Sequence, residues 1–276
     1  AHTHDAVSAD GTGNPLWSPS DWCGRSSLYW TTHAFSAAYA ANAVATMGLM
    51  QGDKVILSTL LPLEAFGYYM LAQGVAGGMY AVIISVDGAV FPQLAGLVAR
   101  GDVGGLSEVY HRGSQLMSVL PAAVAVVGAL FRREVLWAWT GNPAAAGHGR
   151  LVLTLLASGM LLHGLMHAPY YLQIAHGWWR IILRTNVLLL LGVLPLNILL
   201  AKTFGGPGAA LVQVILNISY LLTLPLANHR FLKDERARWL FEDILPPLGG
   251  ALCVGAAARC LIPPGLTRGG VLAYLC

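Results

Sequence analysis

The sequence predicts an all-α, polytopic transmembrane helical bundle of about seven spans, followed by the start of an eighth. Three observations carry that expectation. The 276 residues are 56% hydrophobic and only 11% charged, whereas a soluble domain carries about a quarter charged residues. The stretches Ser26 to Gly52 and Ala65 to Val86 contain no formal charge, and each exceeds the roughly 20 residues that a helix needs to cross a bilayer. Proline, glycine and basic residues separate these stretches from the apolar runs that follow. A net charge of +3, with no Lys/Arg-rich run interleaved with aromatics, excludes nucleic acid as an expected partner.

Residues 1–28 are polar and lack both an apolar core and the pattern of a signal peptide, so they are expected to form a disordered leader. Span A, about 31–61, is alanine-rich (Ala37, Ala38, Ala40, Ala41, Ala43, Ala45), which suits close helix approach. It breaks at Leu61-Pro62. Span B, 65–86, contains Gly74-x-x-x-Gly78, a spacing that marks packing faces in membrane helices. It leaves the apolar zone at Phe91-Pro92. Span C, 113–131, carries Pro121, which neighbouring helices can accommodate. The loop 132–150 holds Trp137 and Trp139, an aromatic-belt signature. Span D runs over about 151–171, span E over 185–201, span F over about 208–227 and span G over about 245–262. Pro263-Pro264 ends span G, and 271–276 begins a truncated eighth span.

The basic residues set an orientation. Arg100, Arg112, Arg180, Arg184, Arg230, Lys233, Arg236 and Arg238 fall on one side. Lys54, Arg132, Arg133, Arg150, Lys202 and Arg268 fall on the other. The first, larger set is assigned to the cytoplasm.

Charged residues within apolar spans are the first candidates for function, because a charge at mid-bilayer costs roughly 2.5–3.5 kcal/mol on insertion scales. Asp53 and Lys54 either line a cavity or snorkel to the interface. On the cavity reading, Lys54 attracts a pyrophosphate or acidic sugar and Asp53 handles a cation or orients Lys54. Asp87 has no basic neighbour in sequence and is either a cation or proton site or an interface residue. His163 and His167 share one helical face. A zinc-protease pattern would need Glu where Gly164 stands, so packing or lumen-facing histidines are expected and no metal or cofactor is. Asn197, Gln213 and Asn217 suit interhelical hydrogen bonds. Cys23, Cys253, Cys260 and Cys276 form no C-x-x-C pair, and Cys253 and Cys260 are expected to pack on one helix face. The alternating charges of Arg230 to Asp243 read as a solvated amphipathic segment. No nucleophile elbow, phosphate loop or clustered carboxylates are present, so an enzyme is not expected.

Three spaced motifs add a family. They are Asp53-Lys54-x-x-Leu57-Ser58-x-Leu-Leu-Pro62-Leu-Glu64-x-Phe66-Gly-Tyr-Tyr69, Phe91-Pro-Gln-Leu94-x-x-Leu97-x-x-x-Gly101-Asp102 and Leu106-x-x-x-Tyr110-His-Arg-Gly-Ser-Gln-Leu116. With His167-Ala-Pro-Tyr170, Gln173 and His176-Gly177, their order over about 31–232 resembles bacterial polysaccharide and O-antigen flippases. These belong to the superfamily of multidrug, oligosaccharidyl-lipid and polysaccharide exporters. The resemblance implies flipping of a polyprenyl-pyrophosphate-linked oligosaccharide across the bacterial inner membrane, for lipopolysaccharide or polysaccharide biosynthesis. It implies that 29–232 is the second six-helix bundle, partnered by an N-terminal bundle that this chain lacks. Residues 233–276 would be an amphipathic cytoplasmic segment with truncated extra spans. Candidate cavity residues are Asp53, Lys54, Asp87, His167, Tyr170, Asn197 and Asn217. Two positions depart from the family: Asp87 replaces an uncharged residue, and Gln93 replaces a basic one. Alternatives are a cation-coupled drug exporter of the same superfamily, an inactive fragment, or a membrane-embedded glycosyl- or acyltransferase for which Glu134 and His148 are poor candidates.

Overall fold

A computed structural model describes residues 19–228 and 235–261. Most of the leader, part of the 230–243 segment and the eighth span therefore lie outside the described residues. All regular structure among the described residues is helical. The long elements are α1 (Pro19–Leu60), α2 (Leu63–Arg100), α3 (Val103–Leu130), α6 (Arg150–Ala175), α7 (Trp179–Phe204) and α8 (Gly206–Asn228). Between α3 and α6, the predicted loop folds into two short helices, α4 (Arg132–Thr140) and α5 (Pro143–His148). The chain resumes with α9 (Glu235–Arg238), a π-helical stretch (Trp239–Ile244) and α10 (Leu245–Leu261).

Among the described residues, six helices are long and apolar enough to cross a membrane: α2, α3, α6, α7, α8 and the continuous 239–261 segment. These correspond to spans B to G. Span A forms α1, which is long enough, but Asn42, Gln51, Asp53 and Lys54 lower the mean hydropathy of its alanine-rich sequence. Residues 19–28, expected in a disordered leader, belong to this helix. Once an apolar run is helical its first turns can extend past the charge-free stretch into a polar interface.

The turns follow local chemistry. Pro62, which has no N–H to give a preceding turn, starts α2 after Leu61. At the other end of α2, Gly101 takes a left-handed φ of 69°, a conformation without Cβ penalty only for glycine. Asp102 then caps α3 by accepting the Gly105 N–H at 2.9 Å. Pro92 does not end α2; it sits inside the helix, as Pro121, Pro169 and Pro195 sit inside α3, α6 and α7.

Helix α6 is the centre of the bundle: 67% of its most apolar stretch is buried, against 17% for α7. It packs on α2, α3 and α8. Small residues allow this: a Cβ on Gly164 would lie 3.1 Å from Pro121, and one on Gly159 would lie 3.2 Å from Gln213. Leu57, Tyr69, Met79, Leu153 and Leu156 form one core cluster, and Ile83, Leu94, Leu172, Trp239 and Ile244 contribute to a second. A third joins Leu49, Met166, Val212 and Leu216 across α1, α6 and α8. Helix α1 packs mainly on α7 and touches α2 sparsely, with Tyr69 of α2 bonded to Asp53 of α1.

Three expectations are corrected. Gly74 and Gly78 point outward, and added Cβ atoms would meet nothing within 4 Å, so their spacing does not mark a packing face among the described residues. Cys253 and Cys260 are exposed on α10 rather than packed. Asp243, at the end of the supposedly solvated segment, is only 1% exposed. It accepts from His111 (2.5 Å) and Gln115 (2.9 Å) on α3, while Ser118 Oγ donates to its backbone carbonyl. The alternating charges around it hid a residue that a helix on the far side of the sequence needed.

Candidate functional site

Two polar stripes face one another at midspan. On α6, His163, His167 and Tyr170 recur at helical spacing, and on α8, Gln213, Asn217 and Tyr220 do the same. His163 and Asn217 each stand near the middle of their helices, roughly 16–20 Å from either end at 1.5 Å per residue. Beside them lies a cavity of about 160 Å³ lined by residues of α1, α2, α6, α7 and α8. Tyr80 enters from α2, Thr46, Leu49 and Met50 from α1, and Asn186 from α7.

A chain of buried hydrogen bonds runs through this lining and back to Asp87. Asp87 Oδ2 lies 2.7 Å from His167 Nδ1, and His167 Nε2 lies 3.1 Å from His163 Nε2. His163 Nδ1 lies 3.1 Å from Asn217 Oδ1, and Asn217 Nδ2 donates to the Gln213 carbonyl at 2.8 Å. Asp87, His163, His167 and Asn217 are all buried. The partner that Asp87 lacks in sequence is therefore His167, 80 residues away. Oδ1 of Asp87 has no hydrogen bond among the described residues.

A second polar cluster closes the other wall. Tyr220 donates to Asn186 Oδ1 at 2.5 Å, and Asn186 Nδ2 donates to Asn42 Oδ1 at 2.8 Å and to Thr46 Oγ1 at 3.4 Å. These bonds tie α8 to α7 and α7 to α1.

Of the seven sequence candidates, His167, Tyr170 and Asn217 line the cavity, and Asp87 supports it through His167. Asp53, Lys54 and Asn197 do not line it. Asp53 is buried and accepts from the Tyr69 hydroxyl. Lys54 donates to Gln51 Oε1 at 2.7 Å and to the Met50 carbonyl at 3.0 Å, with Asp53 Oδ1 at 3.8 Å. Both stand roughly 10 Å from the end of α1, close enough to the turn for Lys54 to remain partly exposed. Asn197 is buried on α7, and its Oδ1 has no hydrogen bond among the described residues. Glu134 pairs with Arg259 at 2.9 Å, whereas His148 stacks on Tyr68 at 5.2 Å.

Sequence reading missed Tyr80, Asn186, Tyr220 and the Asn42–Thr46 pair. The stripe from Gln213 through Asn217 to Tyr220 was available as a signal, because polar groups three and four apart share a face. Tyr80 lies seven residues from both Gln73 and Asp87 on α2, a spacing that also shares one face and could have found it. Asn186, by contrast, follows Arg184 and Thr185 at the start of an apolar run and reads as part of the helix's polar end.

No family model, curated protein or solved structure matches this chain. Fold and site together define a multi-pass helical membrane protein with a polar cavity among its apolar helices.

Proposed function

We propose that this chain is one bundle of a carrier that moves a lipid-linked oligosaccharide across the bacterial inner membrane, rather than an enzyme acting on one. The observation that supports this reading is the midspan cavity, whose lining mixes four tyrosines with amides and imidazoles. Amides, imidazoles and phenols supply donors and acceptors for sugar hydroxyls, and aromatic faces supply apolar area with fixed geometry. Cavities of about 150 Å³ admit a benzene ring, so about 160 Å³ suits a single sugar ring. The lipid tail can stay in the bilayer while the headgroup passes between two bundles that rock about a central site. The resemblance of the Asp53–Leu116 motifs to polysaccharide flippases points the same way.

The cation-exporter alternative calls for acids at the cavity without compensating groups. Here Asp87 is met by His167 and Asp53 by Tyr69 and Lys54, which favours the oligosaccharide reading. The test places single cysteines at Thr46 and Tyr80 in a cysteine-free background and labels them in membrane vesicles with a water-soluble thiol reagent. Polyprenyl-pyrophosphate-linked oligosaccharide should protect both positions and the sugar-free lipid carrier should not. Equal labelling with and without the oligosaccharide would reject the carrier reading.

A further inference from the structure

We propose that Asp87, His167, His163 and Asn217 form a proton-binding site that couples the presence of one proton to the shape of the cavity wall. Only the coupling to transport rests on the carrier reading; the proton site follows from hydrogen-bond counting alone.

Asn217 fixes the hydrogen at one end of the chain. Its Nδ2 donates to the Gln213 carbonyl, so its Oδ1 faces His163 and can only accept. His163 Nδ1 therefore carries a hydrogen. The contact between the two Nε2 atoms and the contact between His167 Nδ1 and Asp87 Oδ2 each need one hydrogen as well. The fully bonded chain thus holds three protons. An ionised Asp87 with two neutral histidines would hold two. The extra proton lies between Asp87 and His167, as a carboxylate beside an imidazolium or as a carboxylic acid beside a neutral imidazole, and the site as a whole is neutral. Neutrality is what a buried position at this depth in a bilayer favours.

Loss of that proton cannot be absorbed in place. His167 would then give its only N–H to Asp87, and its Nε2 lone pair would face the His163 Nε2 lone pair at 3.1 Å. Relief requires His163 to carry its hydrogen on Nε2 and Asn217 to turn its amide so that Nδ2 donates to His163 Nδ1. That turn points Asn217 Oδ1 at the Gln213 carbonyl and breaks the 2.8 Å bond. Gln213 and Asn217 both line the cavity, so its wall changes with the proton.

The surrounding groups leave the proton no other home. From α2, the Tyr80 ring lies 6.0 Å from His163. On α6, the Tyr171 and Tyr170 rings lie 5.8 and 6.4 Å from His167, and the Tyr171 phenol neighbours Asp87. Helix α8 adds Tyr220 and α7 adds Asn186, which bond to each other. Helix α1 contributes Thr46, Leu49 and Met50, with Tyr39 farther out, and α3 meets this level through Pro121 against Gly164. No lysine or arginine among the described residues lines the cavity.

Asp87→Asn is the decisive variant. Its amide can donate to His167 Nδ1, which satisfies every link with neutral imidazoles and needs no extra proton. The experiment records histidine side-chain nitrogen NMR on the ¹⁵N-histidine-labelled chain in lipid bilayers across a pH series. In the wild type, His163 and His167 should change state together in one transition that releases one proton per chain. In Asp87→Asn neither should change, while the exposed-surface control Glu108→Gln should keep the wild-type transition. If Asp87→Asn does not fold, His167→Gln serves instead and should leave His163 neutral throughout. Two independent transitions, or a transition that survives in Asp87→Asn or His167→Gln, overturn the proposal. A shared transition without oligosaccharide protection of the cysteine at position 46 upholds the proton site and rejects the carrier reading. Protection without the shared transition does the reverse.

Discussion

At the scale of single residues, several buried polar groups in these helices are arranged as donor–acceptor pairs, and their removal has a direction. Asp53 is 7% exposed; its Oδ2 accepts from Tyr69, and its Oδ1 has no hydrogen bond among the described residues. Tyr69→Phe therefore strips a buried carboxylate of its donor, and should destabilise the chain by about 1–2 kcal/mol. The measurement is unfolding in mixed micelles. Adding Asp53→Asn to Tyr69→Phe should cost less than the sum of the two single changes, since the two groups share one bond. Asn217→Leu should cost about 1 kcal/mol in the same assay, because it leaves the His163 Nδ1–H without its acceptor. Additive energies in the first pair, or an unchanged midpoint in Asn217→Leu, would contradict these geometries.

At the scale of elements, the glycines separate into those that a helix contact needs and those that it does not. A Cβ on Gly208 would lie 2.0 Å from the Leu200 carbonyl oxygen, so α7 and α8 meet backbone to backbone. Gly208→Ala should destabilise the hairpin by upward of about 3 kcal/mol, since a backbone atom cannot rotate away. On Gly255 the obstacle is Val126 Cγ1 at 2.3 Å, a side chain, and Gly255→Ala should cost about 1–2 kcal/mol. Gly78→Ala should stay within about 0.5 kcal/mol of wild type, because its new methyl meets nothing. Thermal unfolding of the three variants should return that order. The π-helical stretch makes a separate case: it holds Asp243 where His111 and Gln115 reach it. Asp243→Leu removes the acceptor from both and should loosen 239–261 from α3 by about 3 kcal/mol. Faster amide exchange confined to that segment would report it, and unchanged exchange would show that apolar packing alone seats the helix.

For the whole molecule, the central placement of α6 decides what the cavity can do. A helix buried on several sides presents His163, His167 and Tyr170 as a rigid stripe, while α1 and α2 touch sparsely and both border the cavity. Tyr80 borders that cavity and is 38% exposed, so Tyr80→Ala should leave stability nearly unchanged. If the cavity takes a sugar ring, the same change should lower oligosaccharide transport about three- to tenfold, the value of one aromatic contact. A loss of stability in place of a loss of transport would make Tyr80 a packing residue.

Spans B to G and most turns were legible in the sequence, because membrane insertion sums a transfer free energy residue by residue along a local stretch. Pro62 acts within its own turn and could be read for the same reason, whereas the α2–α3 turn falls at Gly101-Asp102 and not at Phe91-Pro92, where the apolar run is expected to leave the membrane. The polar character of Asp87, His167 and Asn217 was equally visible as departures from an apolar background. Their partners were not. Helical periodicity tells which residues share a face and says nothing of what opposes that face. The rotation and crossing of two helices are set by close contacts such as Gly164 with Pro121 and Gly159 with Gln213, which join segments far apart in the chain. Only the tertiary structure could bring Asp87 to His167 across 80 residues and His111 to Asp243 across 132. It alone turned a lone acid and a helical pair of histidines into one hydrogen-bonded chain, because an uncompensated polar group buried in an apolar interior must find a partner wherever packing supplies one.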